Sequence, residues 1–304
     1  MKKFFSVILM TIVISFSKID ACDICGCGVG NYYIGILPQF NHQFFGLRYH
    51  VSGYSTRLAS DPTQFSRDFY QTIEWWGGWN LGKKIQLLTF VPYNFNHQNS
   101  DDGVSSKKGL GDIIFLANYK VFDIRSVSGN DKVSSQQFWL GGGVKLPTGK
   151  FDVEPSTPDM AAMANGQLGS GSTDFLLNAM YNIRINQFGV NSTATYKINS
   201  ANKDQFKFGD KAAITSFAYY SIPISKTVIS PNVGLLYEHS KQSELQNIKI
   251  DLTGGSILNS AFGVEFGFNR ISVGFNVQVP LTQNFAENQT KEKAKGMVHI
   301  SIAI

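Results

Sequence analysis

Apolar and polar residues alternate one by one over stretches of about ten residues, and they do so repeatedly along this chain. Ile271, Val273, Phe275, Val277 and Val279 interleave with Ser272, Gly274, Asn276 and Gln278. Leu258, Ser260, Phe262, Val264, Phe266 and Phe268 alternate with Asn259, Ala261, Gly263, Glu265 and Gly267. Phe188, Val190, Ser192, Ala194, Tyr196 and Ile198 face Gly189, Asn191, Thr193, Thr195 and Lys197, and Val298, Ile300, Ile302 and Ile304 close the sequence in the same way. A period of two places the two sets on opposite faces of a β-strand. No segment carries a convincing helical period. No apolar run beyond the N-terminus approaches the ~18 residues of a membrane helix, which excludes a polytopic helical membrane protein.

Twelve such strands can be read, near 44–56, 68–80, 84–95, 111–121, 136–147, 172–184, 188–199, 210–223, 227–239, 256–268, 271–280 and 296–304. Their usual length, roughly ten to thirteen residues, is about twice that of an ordinary globular strand and suits a tilted strand crossing a bilayer. Their connections alternate short and long. Leu81-Gly82-Lys83, Ile185-Asn186-Gln187, Ser225-Lys226 and Asn269-Arg270 are tight, whereas 57–67, 96–110, 148–171, 200–209, 240–255 and 281–295 are long and polar. The segment 122–135 breaks the rule by being long on the short side. Short periplasmic turns and long outer loops are the pattern of outer-membrane barrels, and an even strand count returns both termini to the periplasmic side. The expected fold is therefore all-β, a transmembrane antiparallel β-barrel of about 12 strands over residues 42–304. A large secreted β-sandwich would share the alternation. Strand length, loop asymmetry and a final apolar strand running to Ile304 favour the barrel, although Ile304 departs from the commoner terminal aromatic.

Only 16% of the residues are charged, well below the ~25% of an average soluble protein. Residues 1–21 read as a secretory signal peptide: Lys2 and Lys3, an apolar Phe4 to Phe16, then a polar stretch ending at Ala21. Its removal takes Lys2, Lys3, Lys18 and Asp20 and lowers the formal net charge from +5 to +3. That is too mild for nucleic-acid binding, and no basic run supports it. The expected partners are outer-membrane lipid and a small molecule.

With the apolar set outward, the inward set includes Arg48, His50, Glu74, Asp112, Lys120, Lys145, Asp174, Arg184, Lys197, Glu238 and Glu265. Of these, Arg48, Glu74, Asp112, Lys145, Asp174, Arg184, Glu238 and Glu265 are the candidate lumen residues for passive transport of a small molecule. Inward Leu88, Phe90, Leu116 and Leu176 add apolar surface to that passage. Trp75, Trp76 and Trp79, with Tyr32, Tyr33, Tyr219 and Tyr220, read as an interfacial aromatic girdle, Trp76 also as an inward stacking surface.

Three short signatures occur in order: Gly109-Leu110-Gly111-Asp112, Gly141-Gly142-Gly143-Val144-Lys145-Leu146-Pro147-Thr148-Gly149-Lys150, and Leu168-Gly169-Ser170-Gly171-Ser172-Thr173-Asp174. Together they resemble the outer-membrane barrel family labelled "MetA-pathway of phenol degradation", over roughly residues 40–304. The resemblance implies a barrel with a transport role; the label is not evidence that phenol is the cargo. Pro147 suits a strand end and Gly149 a turn out of the sheet. The structural reading of the signatures is rim packing. The functional one is a polar constriction made by Asp112, Asp174 and Lys145 under the long loop.

All three cysteines lie in Cys22-Asp23-Ile24-Cys25-Gly26-Cys27-Gly28, within a periplasmic N-terminal segment 22–41. Cys22 could be an acylated N-terminus after Ile19-Asp20-Ala21. Cys22 with Cys25 or Cys27 could form a disulfide in an oxidising compartment. Cys22, Cys25 and Cys27 could also bind copper or zinc, which thiolates favour, making the barrel an anchor for a soft-metal accessory protein. Tyr32 to Phe40 would then plug or line the periplasmic mouth. A hydrolase is the third reading: His97-Gln98-Asn99-Ser100-Asp101-Asp102 holds nucleophile, base and acid types. Neighbours on one loop, however, do not make a triad, so the sequence expectation is a protein that is not an enzyme.

Overall fold

A computed structural model of the chain describes residues 43–57, 59, 63–101, 103–128, 132–153 and 164–304. The signal peptide, the cysteine segment and the Tyr32–Phe40 piece lie outside the described residues.

Twelve long strands form one closed antiparallel meander. They are β1 (Phe44–Arg57), β2 (Phe65–Leu81), β3 (Ile85–Ser100), β4 in two pieces (Gly103–Leu110 and Ile113–Ser128) and β5 (Lys132–Leu146). Then follow β6 (Asp174–Ile185), β7 (Phe188–Ile198), β8 (Lys211–Tyr220), β9 (Thr227–Ser240), β10 (Gly255–Phe268), β11 (Ile271–Phe285) and β12 (Lys295–Ala303). Each strand pairs with its sequence neighbours, and β12 closes on β1 from Phe44↔Ala303 to Val51↔Gly296. Among the described residues closure pairs the barrel strands on both sides, and the Gly103–Leu110 piece beyond it pairs with β3 alone.

The polarity is inverted relative to a soluble protein. Phe262 is 57% exposed on the outside of β10 while Glu265 three residues on is fully buried. Phe45, Leu47, Phe115, Leu177, Ile214, Leu235, Phe275 and Ile300 face out, and Arg48, Glu74, Lys145, Asp174, Asn191, Asn276 and His299 face in. An apolar belt of this extent cannot be left in water; it belongs in lipid, and the fold is that of a membrane-spanning barrel. Trp75, Trp79 and Tyr220 join the outer face, while Trp76 and Tyr219 point inward and are buried.

At one end sit the tight turns. Gly82 takes a φ of +67° between β2 and β3, and Asn186, Ser225 and Asn269 supply left-handed first residues for the β6–β7, β8–β9 and β10–β11 turns, as tight primed hairpins require. β8 breaks at Ser221, and Ile222–Ile224 pairs with the start of β9 as the hairpin tip. Ile304 meets Gln43 at this same end, its amide donating to the Gln43 carbonyl at 2.8 Å. The chain therefore enters and leaves the barrel on the short-turn side.

Two expected loops are hairpins instead. The 96–110 segment continues β3 to Ser100 and starts β4 at Gly103, with register from Tyr93↔Leu110 to Ser100↔Gly103. The 122–135 segment likewise extends β4 to Ser128 and resumes β5 at Lys132. Both are polar, and polarity reads as loop in a sequence. Ladder hydrogen bonds satisfy the backbone whether or not side chains are apolar, so a paired hairpin can project beyond the lipid. In the 281–295 connection Thr290–Glu292 adds a short pairing with β1. A three-stranded cap of Phe206–Lys207, Glu244–Leu245 and Ile248–Lys249 forms on the long-loop side.

Candidate functional site

The site is the interior of the barrel, and three levels can be followed through it. At the long-loop end, β4 breaks at Gly111-Asp112 and lets Asp112 turn inward. Its register neighbours on β5 and β6 supply Lys145 and Asp174, which pair directly with each other. The Lys145 ammonium lies 2.6 Å from Asp112 Oδ2 and 2.8 Å from Asp174 Oδ2, with Ser170 Oγ as a third contact; all three charged side chains are sealed from solvent. Asp112 also accepts from the Gly149 amide at 3.0 Å and the Ser170 amide at 2.9 Å, and Asp174 accepts from Ser172 Oγ and the Ser200 amide.

The Gly149, Ser170 and Ser172 bonds go to the β5–β6 loop and the Ser200 bond to the β7–β8 loop, so the cluster fastens both loops to the barrel. The β5–β6 loop reaches in to β3, where inward-facing Asn94 and Asn96 donate to the carbonyls of Leu168, Gly166 and Gln167. Phe151, Val153, Ala164, Phe206 and Phe208 pack into an apolar knot that ties it to the β7–β8 loop, with Leu245 and Ile250 from the β9–β10 loop against it. The three glycine-rich signatures are the strand ends and loop base of this arrangement. The expected trio Asp112, Lys145 and Asp174 is thus one physical unit, a buried ion cluster under an inward-folded loop.

Midway through the barrel the wall has two characters. Phe44, Trp76, Leu88, Phe90, Ile114, Leu116, Trp139, Leu176 and Met180 make a continuous apolar cluster on the β1–β6 side. Thr193, Asn232, Asn276, Gln278, Ser272 and Glu265 line the other side, and each has a buried polar atom without a protein hydrogen-bond partner. Buried polar groups need partners, and in a lumen water supplies them. Between the halves lie an ion pair and a histidine–carboxylate contact. Arg48 Nε donates to Glu74 Oε1 at 2.8 Å, with its guanidinium 4.4 Å from the Trp76 ring centre. His299 Nε2 meets Glu265 Oε2 at 2.9 Å. A side chain at Gly274 would collide with both members of that pair, so β11 carries glycine where they meet. Higher up, Lys211 holds Glu238 and Lys295 holds Glu292, each at 2.6 Å.

At the short-turn end, Arg184 lies at the rim, exposed, and donates from Nε to the Asn186 carbonyl at 2.7 Å. A β-bulge at Val121 pairs Lys120 with Trp139 and Phe122 with Phe138. The extra residue turns Lys120 and Asp123 to the same side, and the two join at 3.0 Å. A cavity of about 800 Å³ opens here.

Of the eight expected lumen residues, all but Arg184 are buried inside, and they are brought together as an ion cluster and opposed pairs rather than as free charges. His299, Lys211, Glu292 and Lys295 were not foreseen as candidates. His299 alternates with Val298 and Ile300 and could have been found by extending the inward set to the last strand; Glu292 and Lys295 fall in what reads as a loop. His97 does not meet Ser100: its Nδ1 lies 2.8 Å from Ser106 Oγ, because the β3–β4 register places His97 opposite Ser106. Asp101 instead accepts from the Phe65 amide. The Cys22, Cys25 and Cys27 cluster lies outside the described residues.

Fold and interior together define a membrane-spanning β-barrel with a polar core that carries buried charged groups. Among solved structures it is similar to the COG4313 outer membrane channel from Pseudomonas putida F1, with a TM-score of 0.61 and 14% identity, covering 91% of this chain and 100% of that one. At this identity the likeness concerns the fold. Weaker likenesses extend to the β domain of the Bordetella autotransporter BrkA (TM-score 0.48, 9% identity, 86% of this chain and 99% of that one) and to the CymD monoaromatic hydrocarbon channel (0.41, 9%, 95% and 99%). No family model matches the chain, and no curated protein does.

Proposed function

We propose that this protein is a Gram-negative outer-membrane channel for passive movement of a small solute, with the short turns and the β1 and β12 ends on the periplasmic side. The observation that supports it best is the interior: a row of buried polar atoms without protein partners runs down the β7–β12 wall, inside an exterior that only lipid can cover. A barrel serving as a mere anchor has no need of a hydrated wall and gains by filling it with interlocking side chains.

The passage is narrow. Twelve strands leave limited room once inward side chains are placed, and the inward-folded β5–β6 loop reduces it further at the outer mouth. An apolar half-wall facing a polar one suits a small amphipathic solute better than an ion stream, and balanced pairs along the route blunt charge selection at mid-lumen. The motif resemblance to the barrel family and the fold-level likeness to an outer-membrane channel both accord with this reading.

The test is reconstitution of the processed protein into planar bilayers and liposomes. Discrete conductance steps, and liposome swelling in small sugars but not in large ones, are expected. Sealed liposomes and no steps, with the β5–β6 loop intact or deleted, refute the channel.

A further inference from the structure

The short-turn mouth has a chemistry of its own. Around the cavity of about 800 Å³ stand Lys83, Lys120, Arg125, Asp123, Asn80 and Trp139. Lys84 borders it too but leans outward, its ammonium 3.3 Å from Tyr119 Oη on the lipid side. The bulge at Val121 is what brings Lys120 and Asp123 together, and Arg125 follows on the same face with its Nε 3.6 Å from Asp123 Oδ1. Lys120 also lies 4.7 Å from the centre of the Trp139 ring, which fixes its ammonium at the top of the cavity.

One carboxylate, Asp123, therefore meets two cations, and Lys83 adds a third to the cavity lining. Asp123 is shared between Lys120, Arg125 and the Gln137 amide, so it neutralises one charge and positions two. Arg125 remains 70% exposed. Arg184 adds a further cation from β6, on the row Arg125↔Ser135↔Arg184, and Lys226 and Arg270 occupy the remaining tight turns. Glu265 hydrogen-bonds His299 Nε2 at 2.9 Å, on the β10–β12 wall rather than around this cavity. Charges of one sign around a low-dielectric mouth focus the field and concentrate the opposite ion.

We propose that this mouth is an anion-binding vestibule that takes small monocarboxylates, with Lys120 and Arg125 holding the carboxylate at the edge of the cavity. It deepens the channel reading by naming the charge class that meets the periplasmic mouth, and it can fail while the channel stands.

The experiment uses purified full-length protein in bilayers of zwitterionic lipid only, so that lipid headgroup charge contributes nothing. The reversal potential under a KCl gradient is measured for the protein and for Lys120→Gln/Arg125→Gln, followed by hexanoate added to one side at a time. Anion preference is expected, falling at least about threefold in the double variant, with hexanoate interrupting the current from the short-turn side alone. Conductance that is unselective, or selectivity and hexanoate sensitivity unchanged in the variant, overturns the vestibule and leaves the channel in place. Absence of any conductance overturns the channel. In that event hexanoate titration of the micellar protein by calorimetry decides the vestibule: binding lost in the double variant supports it, and no binding to either protein refutes it. Circular dichroism and heat-modifiable gel migration of the variant confirm a folded barrel.

Discussion

Replacing Lys145 with Met is the sharpest test of the inward loop. The ammonium lies within 2.8 Å of a carboxylate oxygen on each of Asp112 and Asp174, so those two oxygens are only about 5 Å apart. Without the cation they repel by about 3 kcal/mol at an effective dielectric of about 20. Breaking a buried ion pair by removing one member generally costs about 3–5 kcal/mol, which agrees. Met keeps the length of the stem, so little of the loss comes from a cavity. Urea unfolding in micelles, followed by tryptophan fluorescence and extrapolated linearly, should show this loss. Hydrogen exchange should place the local part of it in the 164–173 segment. Lys145→Met/Asp112→Asn/Asp174→Asn removes the repulsion together with the attraction and should recover more than half of the stability. A loss below about 1 kcal/mol for the single variant, or a triple variant worse than the single one, would refute the view that this cluster is what fastens the loop.

Three further outcomes are expected. Leu235→Arg, on the lipid face of β9, should destabilise the barrel by about 2–4 kcal/mol, whereas Asn232→Ala on the opposite face should cost under about 1 kcal/mol in the same unfolding assay. Asp210 is pulled up by burial, but the Lys241 ammonium and the Asn199 amide outweigh this and hold it below the usual carboxylate range. Its folded value thus lies under its unfolded one, so its contribution is complete above the ordinary carboxylate value near ~4 and is lost as pH falls through the lower folded value; hydrogen exchange in residues 199–210 and 240–254 should accelerate there, and less steeply in Lys241→Gln. Metal analysis of the processed protein separates the soft-metal reading of Cys22, Cys25 and Cys27 from transport: stoichiometric copper or zinc that is lost in Cys25→Ser/Cys27→Ser favours the former, and metal-free wild-type protein leaves transport ahead.

The strands were legible because a barrel in lipid leaves no freedom in which residues face out. Ile271 to Val279 alternate because every second side chain of β11 meets acyl chains, and a slip of one residue would put Asn276 and Gln278 there instead. The same constraint made most inward charges findable from sequence, Arg48, Glu74, Lys145 and Glu265 among them. It failed at the hairpins of 96–110 and 122–135, whose largely polar sequences do not alternate and resemble loops although their backbones pair.

Local sequence thus determined the sheet, its closure into about twelve strands and the sign of its two faces, since these follow from period-two patterning and solvent alone. Partnership was decided only by the tertiary structure. Lys145 and Asp174 are 29 positions apart and Glu265 and His299 are 34 apart, and which charge meets which depends on register between strands, on the Val121 bulge, and on a loop folding back into the barrel. Those are long-range pairings, and no window of sequence short enough to read contains both members.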